Sequence, residues 1–112
     1  MTVLIHHIYE YKKGVRHLAL HTLPASLRKE AEKKLEKQGI SYVVKPINDM
    51  RINIFFGDDE CVEVICRMGD KKLNEFTPEE DFILGIMLGY DKRQQCLRYL
   101  QQKEQKQISF RG

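Results

Sequence analysis

The chain has no tryptophan, three prolines and three cysteines, and no two cysteines form a CxxC pair. Cys61, Cys66 and Cys96 make an odd count, which does not read as a disulfide framework but as free thiols in a reduced compartment. The N-terminus lacks the basic-then-apolar pattern of a secretory signal. Together these lead to the expectation of a cytoplasmic protein. No apolar run approaches the ~20 residues that span a bilayer, so no membrane partner is expected. Neither GxGxxG nor GxxxxGK[ST] occurs, so the Gly-rich phosphate cradles are missing and no cofactor is expected. The sequence also has no internal repeat.

What is present fits one α+β domain over residues 1–112. Apolar residues make up 42% and charged residues 31%, ordinary values for a globular chain able to bury one core. The formal charge of +3 is mild and mixed in sign. It favours an acidic partner weakly and speaks against nucleic acid, which calls for a strong, clustered positive field.

The most strand-like run is Arg51 to Gly57, in which Ile52, Ile54 and Phe56 face one way and Asn53 and Phe55 the other. It is expected to be the central strand. Before it, Val15 to Leu23 reads as a strand ended by Pro24. Ala25 to Gln38 reads as a helix with a thin stripe of Leu27, Ala31 and Leu35, closed by Gly39. Ile40 to Lys45 alternates as a strand, and the short connection from Ile47 to Met50 makes it an antiparallel hairpin with the central one. Two segments fit either type on pattern alone, Thr2 to Lys13 and Glu60 to Met68. Helix is the preferred reading for both, with Asp58 as an N-cap for the second. Thr77, Pro78 and Glu80 form a capping box that starts a helix. The run from Phe82 to Leu88 is apolar all round and predicts a buried helix, with Gly85 and Gly89 spaced to admit another backbone. Asp91 can cap a last helix on which Cys96, Tyr99 and Leu100 share a face, with a polar, frayed tail from about 105. The expected architecture is a three-stranded sheet with a split β-α-β core, central strand 51–57, and about five helices.

The chemistry-bearing residues form no strong constellation. On a helix His6 and His7 point about 100° apart. His17 and His21, four apart on a strand, stand roughly 13 Å from each other, too far to share an ion. Cys61 and Cys66 face different sides of a helix and read as buried thiols, and the acids Asp58, Asp59 and Glu60 oppose a thiolate at Cys61. The acidic clusters 58–60 and 79–81 lie at helix starts, where carboxylates are favoured structurally. No catalytic and no metal-ligating residue is assigned. The one candidate partner surface is Arg28, Lys29, Lys33, Lys34 and Lys37, although Glu30, Glu32 and Glu36 among them make a solvated face the simpler reading.

Three runs together resemble a small bacterial family of uncharacterised domains. They are His6 to Gly14 (HHIYEYKKG), Asn53 to Asp58 (NIFFGD) and Pro78 to Asp91 (PEEDFILGIMLGYD), and the resemblance covers most of the chain. It implies three strands and five helices, with helices at residues 3–13 and 58–68, and a homodimer often encoded near flavodoxin. It implies no activity and no catalytic residue. The functional expectation is a non-enzymatic interaction or regulatory module, acting with an acidic flavodoxin-like redox protein. The alternative is a small cytosolic enzyme using Cys or His chemistry. A homodimer is also expected from the sheet itself, whose two faces both carry apolar side chains, and from Ile5, Ile8 and Tyr9 in the first helix.

Overall fold

A computed structural model of the chain describes the backbone of residues 1–111 and the side chains of residues 1–105. Helix α1 is Thr2–Lys12, strand β1 Leu18–Pro24, helix α2 Arg28–Lys37, strand β2 Ser41–Pro46 and strand β3 Arg51–Gly57. Helices α3 (Asp59–Arg67), α4 (Pro78–Met87) and α5 (Lys92–Arg111) follow, and 3₁₀ turns occupy Ala25–Leu27 and Leu73–Glu75. The strand order is β1-β3-β2, with β3 antiparallel to both neighbours, so the split β-α-β core and the three strands and five helices are as expected. The expected fraying from about 105 falls on side chains outside the described residues.

Alternation along β3 divides the core in two. Ile52, Ile54 and Phe56 pack with Leu4 and Ile8 of α1 and Ala31 and Leu35 of α2. Phe55 packs on the other side with Leu18, with Val62 and Ile65 of α3, and with Leu84 and Leu88 of α4. The two ambiguous segments are settled by which residues these faces bury. Leu4 and Ile8 are four apart and both buried, the helical spacing; Val3 and Ile5, which a strand would set on the same face, are more than half exposed. In the later segment Val62 and Ile65 are buried and Val64 is exposed, again helical.

Four expectations change. β1 starts at Leu18 rather than Val15, because its pairing partner β3 ends at Gly57, opposite Leu18. The run around Leu84 is not buried all round. Leu84 and Leu88 are covered, but Ile83 is 43% exposed, because α4 is covered only where it meets the sheet-side core and α5. Gly85 admits the Gln95 side chain of α5 rather than a backbone, and Gly89 ends the helix at φ 81°. Asp58 stands at the N-cap position of α3 without a side-chain cap bond, because its carboxylate is engaged elsewhere. Gly57 has a role the sequence did not disclose: a β-carbon there would collide with the His17 carbonyl, which accepts the Asp58 N–H at 2.9 Å.

Register sets the rows on the α3–α4 face. Leu20, Phe55 and Val43 lie side by side, and the next row is Thr22, Asn53 and Lys45. Asn53 is the buried polar residue of the sheet, with its amide paired to the Thr22 hydroxyl.

Candidate functional site

Helix α2 buries Ala31 and Leu35 and turns its charged residues outward. Two of its acids bond to a tyrosine of the sheet. The Tyr42 hydroxyl of β2 lies 2.6 Å from a Glu36 oxygen and 3.1 Å from a Glu32 oxygen, sharing its proton between them. The Glu36 hydrogen bond, burial and the Glu32 hydrogen bond, in that order, push the Tyr42 phenol above its ordinary range. Glu32 also accepts from Arg28 Nε at 3.3 Å, so that guanidinium is used within the helix. Lys29, Lys33 and Lys37 remain, exposed, at i, i+4 and i+8 along one side, and make no ion pair among the described residues. Lys34 is half-buried. Lys12 of α1 donates to Gln38, which brings the basic end of α1 beside the end of α2. The neighbouring Lys13 ammonium stands 5.2 Å over the Tyr9 ring. The result is a basic ridge running from Lys29 through Lys37 to Lys12. Of the five basic residues named from the sequence, Lys29, Lys33 and Lys37 lie exposed in this line, Arg28 pairs with Glu32 and Lys34 is partly covered. Lys71, by contrast, pairs with Glu80 at 2.6 Å in another part of the molecule.

The histidines are arranged differently from their sequence spacing. The His7 and His21 rings lie 5.6 Å apart between α1 and β1. Burial is the main cause that holds both below their ordinary pKa, helped at His7 by Arg16 and at His21 by His7 itself. His7 Nδ1 is buried without a hydrogen-bond partner. His17 lies before β1, with Nδ1 2.8 Å from Asp58 Oδ2. The Tyr11 hydroxyl donates to the other Asp58 oxygen at 2.9 Å. These two bonds hold the Asp58 carboxyl below its usual range, while burial first and then Asp58 push Tyr11 up to about 12. The cluster ties α1, the approach to β1 and the start of α3 together. No short-range signal could have shown it, because its bonds join residues 41 and 47 apart. Among the described residues no three His, Cys, Asp or Glu side chains come together as a metal site.

Cys61 and Cys66 are not the buried thiols expected. Cys66 and Cys96 are exposed and Cys61 is half-buried, because α3 and α5 each cover only one side. Burial first, then Asp58 and Glu60, raise the Cys61 pKa, so this thiol is held protonated rather than activated.

A model of the family described as a protein of unknown function, DUF2023, matches residues 2–102. The chain belongs to this family. The match takes in the whole sheet, the basic ridge and the first part of α5. The family's description carries no activity. No curated protein matches the chain. Among the described residues no helix is long and apolar enough to cross a membrane.

Proposed function

We propose that the protein is a non-enzymatic interaction module whose basic ridge docks an acidic protein, of the kind represented by flavodoxin-like electron carriers. The observation that carries this reading is the line of lysines on α2. Tyr42 and Arg28 engage Glu32 and Glu36, and Lys29, Lys33 and Lys37 lie exposed in one line without an ion pair among the described residues, with Glu30 as the remaining acid of the helix. Such a ridge steers an acidic partner and raises its association rate more than its affinity. Lysines suit the task, as flexible point charges without the fixed geometry of a guanidinium fork. The complex is weak and salt-sensitive, in keeping with the small interfaces of electron-transfer encounters. An enzymatic reading through Cys61 gains no support from its chemistry, since burial and acidic neighbours protonate the thiol.

The test is a calorimetric titration with an acidic flavodoxin at low and at high ionic strength, with flavin absorbance as a second signal. Binding at low salt is expected, lost at high salt and abolished by Lys33→Glu with Lys37→Glu. Absence of binding at low salt, or binding indifferent to that charge reversal, removes the reading.

The module acts as a homodimer in this proposal. Support comes from apolar side chains left exposed: Val3, Ile5 and Tyr9 on α1, and Ile83 and Leu100 on the α4–α5 pair. Equilibrium sedimentation at micromolar concentration should return twice the chain mass, and a monomer alone would sink the dimer.

A further inference from the structure

The α3–α4 face of the sheet is open at the end where the polar row lies. A cleft of about 340 Å³ sits there, between that row and the segment running through the 3₁₀ turn at Leu73–Glu75. Its apolar wall is Phe55, Pro46 and Ile47, with Leu73 opposite. Its polar groups are Asn53, Asn74, Lys45, Lys71 and Lys72. The volume falls within the range of small-ligand sites, and an apolar lining with a few converging polar groups is their usual make-up.

The charges in this cleft do not cancel. Lys71 is neutralised by Glu80. Lys45 donates to the Gly69 carbonyl, a neutral acceptor just beyond the end of α3, so its full charge remains. Lys72 has no ion pair among the described residues, and the nearby Glu75 carboxylate is turned to the Lys72 backbone N–H at 3.1 Å. Two cations therefore border a cleft that no carboxylate lines. Asn53 adds a fixed polar group. It is 6% exposed, one end of its amide is taken by Thr22, and the other end has no hydrogen bond among the described residues.

We propose that this cleft binds a small organic anion, a phosphate or carboxylate carried on a flat apolar body. The body lies against Phe55, Ile47 and Leu73, and the anionic head is held by Lys45 and Lys72 with the Asn53 amide as donor. Lysines serve here as charge donors to an anion whose orientation is set by the apolar body. The basic ridge on α2 covers the opposite face of the sheet, so this site stands or falls separately from the partner reading.

The experiment is a titration of the full chain followed by ¹H–¹⁵N correlation spectra, reading the Asn53 side-chain amide and the backbone amides of Lys72 and Asn74. The probes are phenyl phosphate, benzoate and neutral benzyl alcohol. At least one of the two anions should shift these signals saturably, and which one does so tells phosphate from carboxylate. Lys72→Gln, an exposed change that leaves the spectrum dispersed, should weaken binding at least threefold, and Lys45→Gln with Lys72→Gln at least tenfold. No saturable shift with either anion overturns the proposal. So does an equal response to benzyl alcohol, which makes the cleft an apolar groove only, or an affinity unchanged by Lys72→Gln.

Discussion

On one side of β3, Ile52, Ile54 and Phe56 meet two helices, and Leu4, Ala31 and Leu35 close over them with no exposed surface. On the other side Phe55 meets α3 and α4, but the cover stops short, and the next row is Thr22, Asn53 and Lys45. Both faces come from alternate residues of the same strand. The difference lies in how the covering helices are held. α1 and α2 each lay a pair of apolar residues four apart on the sheet, and α4 carries such a pair too, Leu84 and Leu88. α4, however, is split between the sheet and α5, to which it is tied by Arg98–Asp81, Lys103–Glu79 and the Phe82–Tyr99 ring contact. A helix shared in this way cannot cover a whole sheet face, and the uncovered end is where polar groups and a cleft collect.

The comparison can be broken by truncation on each side. Ile54→Ala opens a cavity in the closed face and should cost about 3–5 kcal/mol, the upper part of the range for buried aliphatic truncations. Leu84→Ala, on the less fully covered face, should cost about 2–3 kcal/mol, since Leu84 is 7% exposed and the site can relax toward solvent. Denaturant melts of both variants check this. Equal losses would mean that the two faces are equally well packed, and no loss at Ile54 would contradict its place in the core.

A smaller effect tests how α4 is held. Thr77 accepts the Glu80 N–H at 3.1 Å while Glu80 accepts the Thr77 N–H at 2.9 Å. Thr77→Ala should cost about 1 kcal/mol through the lost cap, with m unchanged in urea. A larger loss would show that the cap also positions the α4–α5 pair.

The smallest effect sharpens the closed face. His7 and His21 are half-buried between α1 and β1, and both are held below the ordinary histidine value of 6.5. The groups facing them are Arg16, Glu10, His6 and the N-terminal amine. The unfolded chain therefore binds more protons than the folded one just below that pH, so stability is flat above about pH 6.5 and falls as pH drops through the lowered values. Melting temperatures at about pH 7.5 and pH 5.5 should differ less in His7→Gln with His21→Gln than in the natural chain. An unchanged difference would show that the pair does not titrate with folding.

Local pattern was enough for most of the architecture. β-branched and aromatic alternation marks β3 and β2, and the capping box at Thr77 with Pro78 marks the start of α4. The short Ile47–Met50 connection makes a hairpin of β2 and β3, and Ala31 and Leu35 define the buried stripe of α2, with Leu27 partly buried in the 3₁₀ turn before it. These signals survive because each is a relation among residues within one or two turns, where propensity and periodicity act. The candidate surface was legible only as a list of basic residues. The same helix carries Glu32 and Glu36, and nothing local says that Tyr42, in the next strand, will draw them aside. The pairing of His7 with His21, the Tyr11–Asp58–His17 cluster and the Asn53 row likewise depend on strand register and on how helices dock. Sequence by itself determined the elements and their order, because short-range sterics and burial patterns write them. Only the tertiary structure decided which charges remain unpaired and which face stays open, because those depend on neighbours supplied by distant parts of the chain.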